Sequence, residues 1–162
     1  MKTNAVRCLD NLGIAYQLLT YEVDLDDLTA ESTAIKVNRP QAQVFKTLVA
    51  RGDRHGVCLA VIPSHAALDL KALANVTGDR KINTVPLKDV QPLTGYLRGG
   101  VTALACKKRY PVYLDETAAA LALICVSGGM RGLLIELAPA DYCKAVDATW
   151  GAIAQRQSRQ CC

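Results

Sequence analysis

Apolar residues recur at Ala5, Cys8, Leu9 and Leu12, the i, i+3, i+4, i+7 spacing of one helix face, with Arg7, Asp10 and Asn11 on the other side. Thr3 or Asn4 can cap the start of that helix, and Gly13 can end it. Residues 16–22 then read as a strand, followed by a polar loop and a short helix near 31–37. Residues 44–50 and 57–62 are two further strands. Between them lies Arg51-Gly52-Asp53-Arg54-His55-Gly56, whose glycines and Asp53 suit a hairpin loop. The second strand is continuously apolar, as expected of a strand covered on both faces.

Asp69 can cap a helix in which Leu70, Leu73 and Ala74 share a face and which ends near Gly78. Another helix begins near Pro86, because proline suits a first helical turn. Residues 112–115, 123–126 and 133–137 are short later strands, and Pro139 opens a last helix toward Asp147. Helices and strands intermix without a βαβ rhythm. This predicts an α+β fold in a single domain: a mixed, largely antiparallel sheet or open barrel surrounded by helices. Residues 1–154 form one unit, and 155–162 form a polar C-terminal tail.

A chain of 162 residues can bury a real core, and 51% hydrophobic with 21% charged residues is ordinary globular composition. The longest strongly apolar stretch, 118–126, is far short of the ~20 residues of a membrane helix, and Arg7 and Asp10 interrupt any secretion signal. A cytoplasmic protein without membrane contact is expected. The seven cysteines are odd in number, lack C-x-x-C spacing and have two histidines beside them, which gives a metal site little support. Reduced, structural cysteines are expected, with Cys161 and Cys162 an accessory pair open to oxidation. The net charge of +4 is compatible with an RNA partner and decides nothing alone.

The chain has no G-x-S-x-G elbow, P-loop or H-E-x-x-H helix. What draws notice is a lysine inside a strand. Alternation places Lys46 with Val44 and Leu48, opposite Phe45, Thr47 and Val49. An ammonium on an apolar face must snorkel, pair or meet a ligand. It is either an edge-strand lysine that blocks aggregation or a cation offered to an anionic or carbonyl group. Gly99-Gly100 and Ser127-Gly128-Gly129 either make turns or bring backbone N–H groups to a ligand, where they could stabilise an oxyanion. Lys107-Lys108-Arg109 is a solvated loop or a phosphate contact.

Taken in order, Val44-Phe45-Lys46-Thr47-Leu48, Leu68-Asp69-Leu70-Lys71, Thr94-Gly95-Tyr96-Leu97-Arg98-Gly99-Gly100, Lys107-Lys108-Arg109 and Val126-Ser127-Gly128-Gly129-Met130-Arg131-Gly132-Leu133 resemble the YbaK/EbsC family. These are freestanding relatives of the editing domain of bacterial prolyl-tRNA synthetases, and the resemblance spans residues 3–154. It implies a trans-editing hydrolase of aminoacyl-tRNA, acting on Cys-tRNA(Pro) in the cytoplasm, without cofactor or metal and in partnership with prolyl-tRNA synthetase. Such a second site is needed because one pocket separates near-isosteric side chains by only about 1–3 kcal/mol. Lys46 matches the family's functional lysine, Tyr21 and Thr47 its pocket lining, and Gly99, Gly100, Ser127, Gly128 and Gly129 its rim. Lys107, Lys108 and Arg109 would meet the nucleic acid.

The implied mechanism is substrate-assisted: the cysteine thiol attacks its own ester and leaves as a cyclic thiolactone. Lys46 would hold the terminal ribose or phosphate, or polarise the carbonyl. Two positions depart from the family pattern. Ala103 stands where a proline is usual, and Leu134 where many relatives carry a polar residue, often aspartate. These leave room for another target such as alanine, or for a non-catalytic module that binds tRNA or a synthetase. A hydrolase of small esters or thioesters is a further alternative.

Overall fold

A computed structural model of the protein describes residues 2–155, which form one α+β domain with its strands in two sheets. Helix α1 (Asn4–Asn11) starts where the Thr3 hydroxyl accepts the Val6 N–H at 3.2 Å, and Gly13, at φ 70°, turns the chain away. Its buried face is Ala5, Val6 and Leu9, while Leu12 is half exposed. The helix ends at Asn11, so Val6 rather than Leu12 completes the apolar stripe.

Strand β1 (Gln17–Thr20) and helix α2 (Ala30–Lys36) follow, then the hairpin of β2 (Phe45–Gly52) and β3 (Gly56–Pro63). The hairpin closes with Gly52 opposite Gly56. Its turn is pinned by the Asp79 carboxylate, which accepts the Arg54 and His55 N–H groups at 2.8 Å each and the Thr77 hydroxyl at 2.6 Å. A side chain at Gly52 would fall on that carboxylate, so the position needs glycine for space. Helix α3 (Leu70–Thr77) runs between the Asp69 cap and Gly78, at φ 83°.

Next come β4 (Ile82–Thr84), helix α4 (Leu87–Thr94), β5 (Val112–Asp115), a 3-10 turn at Glu116–Ala120, β6 (Ile124–Ser127), β7 (Leu133–Leu137), helix α5 (Pro139–Val146) and β8 (Ala148–Gly151). Strands β4 and β8 and the 3-10 turn are additions to the elements expected from periodicity. Pro86 caps α4 from outside rather than occupying its first turn.

The sheet orders are β1-β7-β6, wholly antiparallel, and β4-β2-β3-β5-β8, antiparallel from β4 to β3 and parallel from β3 to β8. Among the described residues one bridge joins the two sheets, Val44 to Cys125, with the Cys125 N–H donating to the Gln43 carbonyl at 2.9 Å. The main core lies between the sheets, α1 and α5, and includes Leu9, Phe45, Leu59, Leu114, Val126, Ile135 and Tyr142. A second cluster, with Ala60, Ile62, Leu73 and Ile153, packs the other face of β3 under α3. Two covered faces explain the unbroken apolar run of β3.

Glu136 on β7 ties the chain before β2 to the small sheet. Its buried carboxylate accepts Arg39 Nε at 2.7 Å and Arg39 Nη2 at 3.3 Å, and Gln43 Nε2 at 3.2 Å. The Arg39 guanidinium holds this carboxyl below its ordinary pKa. The stabilisation is therefore complete above the unfolded glutamate pKa of about 4.3 and is lost as pH falls through the lower folded value. Urea midpoints measured down the acid range should fall below about pH 4.3, and Glu136→Gln should flatten that fall while lowering stability at neutral pH. An identical acid limb in the variant would remove Glu136 from the account.

Candidate functional site

A cavity of about 390 Å³ opens between β2, α2, α4 and the loops that follow α4 and β6. Lys46 lies on its wall, half buried, with Nζ donating to the Ser64 carbonyl at 3.0 Å. Ser64 is itself fixed: its N–H donates to the Val44 carbonyl and its hydroxyl to the Gln41 carbonyl, each at 2.7 Å. Burial pulls the Lys46 pKa down, and the Glu31 carboxylate partly offsets this. The ion pairs among the described residues are Lys2–Asp10, Arg39–Glu136 and Arg109–Asp147, so Lys46 has no carboxylate within 4.0 Å. With one of its three donors on Ser64, the ammonium has two left for a ligand.

Strand β2 adds main-chain groups to the same wall. Strand β4 pairs with Ala50–Gly52, and the Val85 N–H reaches the Val49 carbonyl at 2.9 Å. At the other end Val44 bridges to Cys125. Between these points no strand among the described residues pairs with that edge, and Thr47 sits in the gap. An unpaired strand edge presents N–H and C=O groups at ladder spacing, the arrangement that grips peptide-like ligands.

Tyr21, Thr47, Gly99 and Ser127 line this cavity with Lys46. Tyr21 is held by its N–H on the Gly132 carbonyl at 3.0 Å. Gly100, Gly128 and Gly129 lie behind the lining. A Cβ on Gly100 would come within 3.0 Å of the Met130 backbone, and one on Gly128 within 2.6 Å of Leu133. These glycines let the two loops pack against each other. Their amides are engaged: Gly100 N–H with Leu97 O at 2.9 Å, Gly128 N–H with Leu133 O at 2.9 Å, Gly129 N–H with Ser127 Oγ at 3.2 Å. Gly99, at φ 89°, has no amide partner among the described residues and is the glycine able to offer a donor to the cavity.

Lys107, Lys108 and Arg109 are exposed and stand outside the cavity. Arg109 meets Asp147 at 3.5 Å between two highly exposed side chains, a surface pair worth little. The lining also contains Glu31, Ser64 and Arg98, which sequence reasoning did not single out. Arg98 lies inside the Thr94–Gly100 motif and could have been flagged there. The Ser64 carbonyl carries no sequence signal, because any residue supplies one. Leu134, only 5% exposed, makes its part of the wall apolar.

No cysteine among the described residues lines the cavity. Burial raises the Cys58 and Cys106 thiols to about 11 and Cys125 to about 12, so they are protonated at neutral pH and poor nucleophiles. Cys161 and Cys162, and the tail they belong to from residue 156, lie outside the described residues. Among the described residues no group of three or more His, Cys, Asp or Glu side chains could hold a metal ion, and no helix is long and apolar enough to cross a membrane.

Residues 27–145 match the family model of an aminoacyl-tRNA editing domain. A protein of Enterococcus faecalis named as a candidate Cys-tRNA(Pro)/Cys-tRNA(Cys) deacylase, EbsC, is 42% identical over 138 residues, which cover 85% of this chain and 84% of its own. The crystal structure of a candidate trans-editing enzyme for prolyl tRNA synthetase superposes with a TM-score of 0.80 at 23% identity, over 96% of this chain and 99% of the other. That of a hypothetical protein superposes at 0.86 with 21% identity, over 94% and 100%. At such identities the two structures establish the fold.

If Lys46 serves a ligand rather than the fold, removing its charge should not harm stability. Lys46→Met keeps the stem that packs along the wall and abolishes the cost of half-burying an ammonium. Chemical denaturation should find it within about 1 kcal/mol of the parent or more stable, since the one bond lost, to Ser64, has about that net worth. A loss of several kcal/mol would make Lys46 a structural residue.

Proposed function

The chain belongs to the aminoacyl-tRNA editing domain family, and from that premise we propose that it deacylates mischarged tRNA, with Cys-tRNA(Pro) as its substrate. The observation that carries this reading is an ammonium without a carboxylate partner, set in a small-molecule-sized cavity beside an unpaired strand edge.

The aminoacyl group lies along the open edge of β2 at Thr47, its side chain toward the apolar wall at Leu134. The cysteine sulfur attacks the ester carbonyl carbon, forming the C–S bond of a four-membered thiolactone. The bond to the ribose oxygen breaks, and that oxygen takes the thiol proton. Water then opens the thiolactone to free cysteine, so the sum is hydrolysis. No protein nucleophile is required, in keeping with a lining that contains no cysteine or histidine among the described residues.

The protein supplies orientation and charge. Negative charge gathers on the carbonyl oxygen during attack, and donors already aimed at that point stabilise it. We assign this role to Lys46, fixed inside the wall by Ser64, with the Gly99 N–H and the Ser127 hydroxyl as neighbouring donors. Arg98, exposed at the rim, suits the terminal phosphate better than the half-buried lysine does.

Residues 1–154 carry the activity in this reading, in the cytoplasm, with prolyl-tRNA synthetase supplying selection for tRNA(Pro). Leu134 favours a second target, alanine, which fits an apolar wall but brings no thiol and would need an activated water.

Hydrolysis of tRNA(Pro) charged separately with cysteine, alanine and proline tests the proposal. Cysteine should be released fastest and proline retained, and Lys46→Ala should lower the rate by about 10²-fold, the typical effect of removing one oxyanion donor. Release of alanine at an equal rate would move the work to water. Full activity in Lys46→Ala, or no release from any charged tRNA with synthetase present, would overturn the proposal.

A further inference from the structure

A second hollow of about 390 Å³ lies on the far side of the same two loops. Gly99 and Ser127 face the first cavity, whereas Gly95, Tyr96, Gly129 and Met130 face the second. The loops form one ridge. Gly100 packs on the Met130 backbone, and Arg131 Nε donates to the Arg98 carbonyl at 2.8 Å.

This ridge and its hollow gather cations. Lys2 and Arg7 line the hollow, and Lys107 packs beside Gly95. Arg131 packs beside Gly99, and Arg98 reaches the first cavity. Lys2 pairs with Asp10, but Arg7, Arg98, Lys107 and Arg131 form no ion pair among the described residues. No acidic residue lines the second hollow, and Glu31 is the one acid lining the first. Unpaired cations held together repel one another unless an anionic partner compensates. Leu97 and Met130, about half exposed on the same loops, add apolar surface of the kind on which unstacked bases rest.

We infer that the ridge is the RNA-docking surface: the single-stranded end of the RNA runs from the second hollow, across Lys107, Arg131 and Arg98, into the first cavity. The inference rests on the proposed function for the identity of the ligand. It makes Lys107, which packs beside Gly95, the member of the Lys107–Arg109 run that the ridge itself carries.

The test is binding of uncharged tRNA as a function of salt, which needs no catalysis. Each phosphate contact to a single strand contributes about 0.7 to the slope of log K against log salt. The triple variant Arg7→Gln/Lys107→Gln/Arg131→Gln should bind at least tenfold more weakly at about 0.1 M salt and lose about 2 from that slope. Arg7→Gln/Lys107→Gln, which leaves the Arg131 tether intact, should lose about 1.4. A control with the same charge change at the far end of β2, Arg51→Gln/Arg54→Gln/Arg80→Gln, should keep the parent slope. Equal losses in control and ridge variants, an unchanged slope in the ridge variants, or no tRNA binding by the parent would overturn the inference. Ridge-dependent binding without deacylation of any charged tRNA would leave it standing and remove the catalytic reading instead.

Discussion

Strand β2 is held along its whole length on one side by β3 and at its two ends on the other, by the Val44–Cys125 bridge and by β4. Between those two clamps its outer edge pairs with no strand among the described residues, and the cavity occupies that gap. The rest of the site depends on this arrangement. It turns the middle of a core strand into a wall that carries Lys46, offers main-chain groups at Thr47 and stays rigid, because both ends are anchored. Precision of this kind favours sites on strands over sites on loops. The Glu136–Arg39–Gln43 cluster serves the same end, fixing the segment that enters β2.

The electrostatics follow from the same geometry. An ammonium half removed from water without a carboxylate beside it is a standing cost, which the single bond to Ser64 reduces but does not cancel. That unsatisfied charge is what a developing oxyanion can exploit. The cysteines are placed the opposite way. Burial holds the Cys58, Cys106 and Cys125 thiols protonated, away from the cavity, and the proposed reaction takes its sulfur from the substrate.

Much of this was legible in the sequence where the determinants are local. Thr3 and Asp69 act as caps, Gly13 and Gly78 end their helices, and the β2–β3 hairpin closes on Gly52 and Gly56. The division into two sheets was not legible, because β5 and β8 extend the large sheet by parallel pairing between segments distant in the chain. Strands of three or four residues, such as β4 and β8, are too short to show a period. At the site, Lys46 stood out because a charge breaks an apolar alternation. Ser64 acts through its carbonyl, which no side-chain pattern reveals, and Glu31 looked like any acid on a short helix. The glycines were visible as pairs, but which amides were free depended on the packing of one loop against the other.

In the proposed reaction the substrate's own sulfur performs the attack while the cavity orients it. The most direct measurement compares tRNA(Pro) charged with cysteine and with 2-aminobutyrate, which has a methyl group in place of the thiol and nearly the same size. Cysteine should be lost rapidly and 2-aminobutyrate retained. Equal rates for the two would contradict it and assign the attack to water, with the cavity selecting its substrate by size alone.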